Sequence, residues 1–248
     1  MPVTKLQQTI AYGDDGPPTK LVQQWLNLHS IETRIDGIFG ENTEDAVLIF
    51  QNKNSIEEDG VVADKTFELL VTPLTNVLNW KPDPGRSLKE SIIELSILFQ
   101  SNGARELGAN EGPWVQLVMD GSEGRAWHWC MGWVTWVALR VATLLDKLPL
   151  NIMRTFSCTS QANHTMSHSR LLPFETLSEN AEPGDIFLIR SKSESENKWI
   201  HTGFIKEMNV PVEGMFTTIE GNFSGRVGVR TLPSDEGITS NRIDWIQL

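Results

Sequence analysis

The sequence is poor in several features that mark whole classes of protein. Only two of its 248 residues are cysteine, Cys130 and Cys158, too few for a disulfide framework. No uncharged apolar run reaches the roughly 18 residues of a membrane span, so the chain is not read as an integral membrane protein. The opening stretch, MPVTKLQQTIAYGDDGPP, has no apolar core of the kind a Sec signal needs. Positive charge is scarce: 21 Lys and Arg stand against 32 Asp and Glu, a net charge of −11. Residues 1–86 hold 7 basic and 13 acidic side chains and the remainder 14 and 19, so the two parts carry −6 and −5. Neither offers a basic surface to answer a phosphate backbone, which argues against nucleic acid and anionic membrane as partners. Binding to a neutral polymer is compatible with this charge. With 40% apolar and 21% charged residues, the composition excludes a disordered chain, collagen or a coiled coil. The length suits one large domain or two small ones.

A short repeat lies near the start. Asp36-Gly37-Ile38-Phe39-Gly40-Glu41-Asn42-Thr43 returns 23 residues later as Asp59-Gly60-Val61-Val62-Ala63-Asp64-Lys65-Thr66. Asp-Gly supplies a turn with a residue tolerant of positive φ, and a helix is expected after each copy. Asn42 or Thr43 is placed to cap the first, whose apolar positions are Ala46, Val47, Ile49 and Phe50. Another helix precedes both, with Leu21, Val22, Trp25, Leu26 and Leu28. Three short helices ending near residue 72 resemble the three-helix peptidoglycan-binding domain of many wall hydrolases. The residues that carry the likeness are Leu21 to Leu26, Asp36, Gly37, Phe39, Gly40, Thr43, Ala46, Val47, Phe50, Gln51, Asp59 and Gly60. Ala63 departs from it, since Gly is usual there. The resemblance implies that residues 1–72 bind the glycan or stem peptide of bacterial peptidoglycan. A small helical domain without a ligand is the plainer alternative.

Residues 73–86 contain Pro73, Pro82, Pro84 and Gly85 and read as a semi-rigid linker. Residues 87–248 then read as one α+β domain, helices first and an antiparallel sheet after. Leu88, Ile92, Leu95 and Phe99 mark a helix, and residues 129–148 a second. The polar stretch 149–182 has room for another. Strands are expected at 186–189, 199–205, 216–220, 227–230 and 243–248, with Ser191–Lys198 as a solvated hairpin loop.

Cys130 opens the second of these helices, where unpaired backbone N–H groups and the helix dipole favour a thiolate. Such a thiolate is a nucleophile at neutral pH. His201, inside an otherwise apolar strand, is the candidate base. Glu220 and Asn222, on the next strand, are candidates to hold one imidazole nitrogen and aim the other at sulfur. Taken singly, each has a plainer alternative: a buried apolar Cys, a satisfied core His, or turn residues beside Gly221. Nothing in the motif surrounds Cys158, so its loss is expected to be silent.

Residues 103–222 resemble the CHAP family of cysteine amidohydrolases and peptidases, within the wider papain-like and NlpC-type group. The likeness is carried by Arg105 to Gly108, Asn110 to Val115, Trp129-Cys130-Met131-Gly132-Trp133, Glu182 to Ile186, His201-Thr202-Gly203-Phe204 and Glu220-Gly221-Asn222. It implies Cys130 as nucleophile, His201 as base, and Glu220 with Asn222 as the orienting groups. Trp127, Trp129 and Trp114 are candidate substrate contacts, while Pro183-Gly184-Asp185 reads as a structural turn. His128, Cys130, Cys158, His164 and His168 include the ligand types zinc prefers, but match no standard zinc spacing. No metal or other cofactor is expected.

The sequence therefore predicts a two-part peptidoglycan hydrolase: a wall-binding domain at 1–72, a linker, and a cysteine amidase or endopeptidase at 87–248. The chain is expected to be made in the cytoplasm without a Sec signal and to act at the cell wall or periplasm. A delivered antibacterial effector, with a secretion apparatus and a cognate immunity protein as partners, is the favoured setting. A phage endolysin with the same chemistry and a non-catalytic wall-binding protein are the alternatives.

Overall fold

The structure, a computed structural model, describes residues 4–168, 170–193, 198–209, 214–233 and 238–248. Part of the expected hairpin loop, 194–197, lies outside the described residues. In chain order the helices are α1 (Pro17–Leu28), α2 (Glu41–Lys53), α3 (Asp64–Leu70), α4 (Thr72–Asn79), α5 (Leu88–Ser101), α6 (Pro113–Val118), α7 (Cys130–Leu144), α8 (Cys158–Ser167) and α9 (Leu177–Asn180). The strands are β1 (Leu171–Pro173), β2 (Ile186–Arg190), β3 (Trp199–Met208), β4 (Phe216–Phe223), β5 (Arg226–Leu232) and β6 (Ile243–Ile246). These elements form two compact units that do not follow chain order: Met1–Asn79 with Arg105–Gly124, and Trp80–Ala104 with Arg125–Leu248.

The first unit is helical. Val22, Trp25 and Leu26 of α1, Val47 and Phe50 of α2, and Phe67 and Leu70 of α3 are buried together in it. The repeated turns are locked by two buried glutamines. Gln23 donates through Nε2 to Asp36 Oδ1, the Ile38 carbonyl and Thr43 Oγ1, each at 3.0 Å, and its Oε1 accepts from the Asp36 and Gly37 N–H groups. Gln51 does the same for the second copy, donating to Asp59 Oδ1, the Val61 carbonyl and Thr66 Oγ1 and accepting from Gly60 N–H. Gly37 and Gly60 have φ of 76° and 71°, the left-handed turn the Asp-Gly pair was expected to make. Gly40 and Ala63, by contrast, are extended N-cap residues (φ −101° and −89°), a conformation alanine adopts without strain. Neither Asn42 nor Thr43 caps α2: the N-cap is Gly40, and Thr43 is engaged with Gln23 instead.

Two boundaries differ from the sequence expectation. Thr72–Asn79 is helical, with Leu74 and Val77 buried, so the stretch expected as linker from 73 begins as α4. Pro73 sits in the first turn of α4, where a missing N–H leaves no intrahelical bond unmade. Residues 105–124, expected within the second domain, pack in the first unit. Trp114 of α6 lies edge-on to Trp25 at 6.1 Å between ring centroids. Arg105 Nη2 donates to the carbonyls of Asn27 and Leu28 at 2.7 and 3.2 Å.

The second unit is an α+β body built on a six-stranded antiparallel sheet of order β1-β6-β2-β3-β4-β5. The expected strands are present, and α8 occupies the polar stretch where a helix had room. Strand β1 has three residues and pairs with β6; it is too short for a periodic signal. Phe187, Ile189, Ile205, Phe216, Leu232 and Trp245 form one core cluster. Helix α5 starts with a Ser87–Glu90 capping box. Helix α7 lies against β3 and β4, with Trp133 at 5.4 Å from the Phe204 ring centroid. The approach is close: a Cβ on Gly221 would sit 2.8 Å from Trp133 Cβ. At the turn before β2, Gly184 (φ 101°) leaves room for Lys89. The buried Asp185 pairs with Lys89 Nζ at 2.8 Å and accepts from the Glu182 and Leu248 N–H groups. Pro183-Gly184-Asp185 is thus the structural turn it reads as.

Candidate active site

Cys130 is the first residue of α7, and no side chain caps that helix start. Its backbone N–H is among those a helix leaves without an internal acceptor. The thiol is 3% exposed. The Cys158 thiol beside it, then His201 and the Met131 N–H, hold Cys130 well below the usual thiol range, against the opposing effect of burial. His201 comes from β3. Burial pulls its imidazole down, but hydrogen bonds and charges from Cys130 and Glu220 outweigh this and raise it to about 9. Both shifts favour an imidazolium facing a thiolate.

Nε2 of His201 lies 2.6 Å from Oε2 of Glu220. That leaves Nδ1 for the sulfur of Cys130, to which the imidazole is also hydrogen bonded. Glu220 is fully buried on β4. It is gripped from its other side by Arg230 of β5, whose Nε donates to Oε1 at 2.8 Å and Nη2 to Oε2 at 2.9 Å. The Thr218 hydroxyl also donates to Oε1. Burial works against the charge on Glu220, yet His201 and Arg230 together keep its pKa below the ordinary carboxylate value. Gly203 makes this reach across the strands possible, since a Cβ there would meet Glu220 Cγ and the Ile219 carbonyl at 2.7 Å. The glycine of His201-Thr202-Gly203 is therefore a steric requirement of the site.

Of the residues singled out in the sequence, Cys130, His201 and Glu220 come together. Asn222 lies in the irregular part of β4 with φ 58°; the carboxylate on Nε2 is that of Glu220. Trp129 and Trp114 are each 1% exposed and belong to the cores of their units, which corrects their reading as substrate contacts. Trp127 is 40% exposed and packs edge-on against Phe156 at 6.0 Å, with the Arg154 guanidinium over Phe156 at 4.9 Å. Arg154 Nη1 in turn donates to the Gly132 carbonyl and Thr135 Oγ1, each at 2.7 Å. Trp127 and Phe156 stand three residues before Cys130 and two before Cys158. Asp36, Gly37, Phe39, Gly40, Asp59 and Gly60 make the paired loops of the first unit.

Sequence reasoning missed three residues. Arg230 has the weakest signal, a cation on one strand whose partner lies on another. Thr218 was visible only as the residue two before Glu220. Cys158, expected to be a bystander, has its sulfur 3.8 Å from that of Cys130. Among the described residues no group of three or more His, Cys, Asp or Glu is placed to hold a metal ion. None of the described helices is long and apolar enough to cross a membrane.

No curated protein matches this chain. Several solved structures are similar to parts of it. The SleB N-terminal domain is 30% identical over 27% of this chain and 94% of its own, with a TM-score of 0.27. The endolysin of Burkholderia phage AP3 is 25% identical over 43% of this chain and 41% of its own, at 0.26. A fused Zn-dependent amidase/peptidase and peptidoglycan-binding protein of Clostridium acetobutylicum is 28% identical over 40% and 47%, at 0.25. The chain thus spans less than half of the latter two. One family model matches: residues 15–70, which hold α1 to α3 and both Asp-Gly loops, match the putative peptidoglycan binding domain.

Proposed function

We propose that this protein is a peptidoglycan hydrolase that cleaves an amide in the peptide portion of the bacterial wall through a Cys130–His201–Glu220 mechanism. The observation that carries the reading is the continuous contact from a thiol at a helix start, through imidazole, to a buried carboxylate. The family match of residues 15–70 supplies the polymer. In this scheme the Cys130 thiolate attacks the amide carbonyl, and the Cys130 N–H helps to hold the developing oxyanion. The His201 imidazolium gives its proton to the leaving amine as the C–N bond breaks, leaving a thioester. Neutral His201 then takes a proton from water, which displaces the sulfur and releases the acid. Glu220 keeps the ring oriented and its charged form stabilised, without itself gaining a proton. Arg230 and Thr218 hold Glu220. Trp127 and Phe156 are the aromatic contacts we assign to substrate.

The same reading places the enzyme at the wall or periplasm after delivery from the producing cell, as an antibacterial effector with its own immunity partner. The decisive experiment is digestion of purified sacculi with the full-length protein and with Cys130→Ala, followed by mass identification of the new ends. New amino and carboxyl ends with the wild type alone support the reading, and name the bond. Intact muropeptides with both proteins would reject it. For the setting, expression with and without an export signal in a Gram-negative host should give lysis only with export.

A further inference from the structure

The chain has only two thiols, and the fold brings them into contact. Their sulfurs are 3.8 Å apart although 28 residues separate them, and both cysteines are buried and free. Each is the first residue of a helix, α7 and α8. They are nevertheless in unequal states. The hydrogen bond from Cys158, with the imidazole of His201, lowers the Cys130 thiol, while that same hydrogen bond, burial and the charge on Cys130 push the Cys158 thiol up. A nucleophilic thiolate with a protonated thiol against it is the arrangement in which one sulfur meets an oxidant and the other resolves the product. The hydrolytic scheme needs only the first.

We propose that Cys130 and Cys158 form a site of reversible oxidation, in which hydrogen peroxide joins them as a disulfide and a small thiol separates them again. The Cys130 thiolate attacks one peroxide oxygen. The O–O bond breaks, the sulfur becomes a sulfenic acid, and the leaving hydroxide takes the proton held on His201 to become water. The Cys158 sulfur then attacks that sulfenic sulfur, losing its proton. The S–O bond breaks, the S–S bond forms, and water leaves. Two thiols and one peroxide have become one disulfide and two waters. The sulfurs must close from contact to about 2.05 Å. Cys158 follows the irregular segment 145–157, and Cys130 is likewise at the free end of its helix. Re-reduction is thiol–disulfide exchange, in which an added thiolate attacks one sulfur and a second releases the other. Oxidation would switch off any chemistry of Cys130 while shielding its sulfur from sulfinic and sulfonic acid, which thiols do not reverse. Only the effect on wall cleavage rests on the hydrolase reading; the disulfide does not.

The test is to treat the reduced full-length protein with hydrogen peroxide, quench it, and measure intact mass and tryptic peptides without reductant. We expect a loss of about 2 Da for the two hydrogens removed. A disulfide should link peptide 126–140 to peptide 155–170, and dithiothreitol should restore both thiols. In Cys158→Ser, checked for fold by circular dichroism, Cys130 should instead gain oxygen and not be fully recovered. The proposal is overturned if wild-type Cys130 gains oxygen without a linked peptide, if both thiols stay open to alkylation, or if the link forms between two chains. Muropeptide cleavage measured on the same samples separates the two readings. A disulfide that forms in a protein inactive even when reduced would keep this site and reject the hydrolase.

Discussion

Arg230 donates to both carboxylate oxygens of Glu220, at 2.8 and 2.9 Å, from the strand next to the one that carries it. The same carboxylate faces His201, so one buried anion serves two cations. Arg230→Met should leave Glu220 with His201 as its only cation, and removing one member of a buried pair destabilises by about 3–5 kcal/mol. Arg230 retains some exposure (14% of its side chain), so the lower part of that range is expected. Thermal unfolding measures the loss, and kcat should fall with it. Unchanged stability and kcat would remove Arg230 from the site.

Cys130→Ala should abolish cleavage of sacculi and leave the unfolding curve close to that of the wild type. His201→Ala should be nearly as inactive. Glu220→Gln should retain part of the rate, because the residue orients and polarises without making or breaking bonds. It should also lower the melting temperature, because it removes the anion opposite Arg230. A fully active Cys130→Ala would refute the nucleophile.

Activity should follow a bell-shaped pH profile. The descending limb belongs to His201, which must be protonated to release the amine and should lose that proton as pH rises through about 9. The ascending limb belongs to the Cys130 thiol, held below the usual thiol range first by Cys158 and then by His201. Cys158→Ala removes the S–H donor, so the ascending limb should move to higher pH. This replaces the silence the sequence predicts for that substitution. The pH dependence of iodoacetamide alkylation at Cys130 reads the same shift without any substrate. An unmoved limb would mean that Cys158 does not support the thiolate.

Gln51→Leu should weaken the first unit. It strands the buried Gly60 N–H, whose acceptor is Gln51 Oε1, and each buried polar group left unpaired costs about 1–3 kcal/mol. The melting transition should fall, and co-sedimentation with sacculi should fall where the loop is lost. Gly221→Ala tests the second unit in the same manner. Its Cβ would press on Trp133, and overpacking of this kind costs about 1–3 kcal/mol. A wild-type melting temperature in either variant contradicts the packing described.

A fragment of residues 87–248 should fold poorly, although it contains every proposed catalytic residue. It carries α6 away from Trp25, leaving Trp114, Val115, Leu117 and Val118, all buried in the full chain, without their partners. We expect aggregation or a broadened unfolding transition, measured by size-exclusion chromatography and calorimetry. A monomeric, active fragment would show that residues 105–124 do not need the first unit.

The legible parts of this structure are those that local chemistry determines. A short apolar run after Pro183-Gly184-Asp185 marks Ile186–Ile189 as a buried strand, and the Asp-Gly pairs announce both turns. Cys130 and His201 could be read because each is out of place for its element, a thiol at a helix start and an imidazole in an apolar strand. Arg230 was illegible because it is ordinary on its strand and acquires its role from Glu220 on the neighbouring one. Cys158 was illegible because its helix start lies in a polar stretch without an apolar period, and its partner is 28 residues away. The exchange of residues 105–124 was hidden likewise, because α6 has an apolar face that suits either unit. Trp114 and Trp129 misled because aromatic density signals a core as readily as a groove.

The way the chain is divided also bears on its descent. Each unit is closed by two separate stretches, and the backbone passes from one to the other at 79–80, 104–105 and 124–125. A recombination joint at the first passage would carry α1 to α4 into a new gene without α6, leaving both products with an unfilled apolar face. Exchange of the helical unit for another would therefore need joints at all three passages rather than at one.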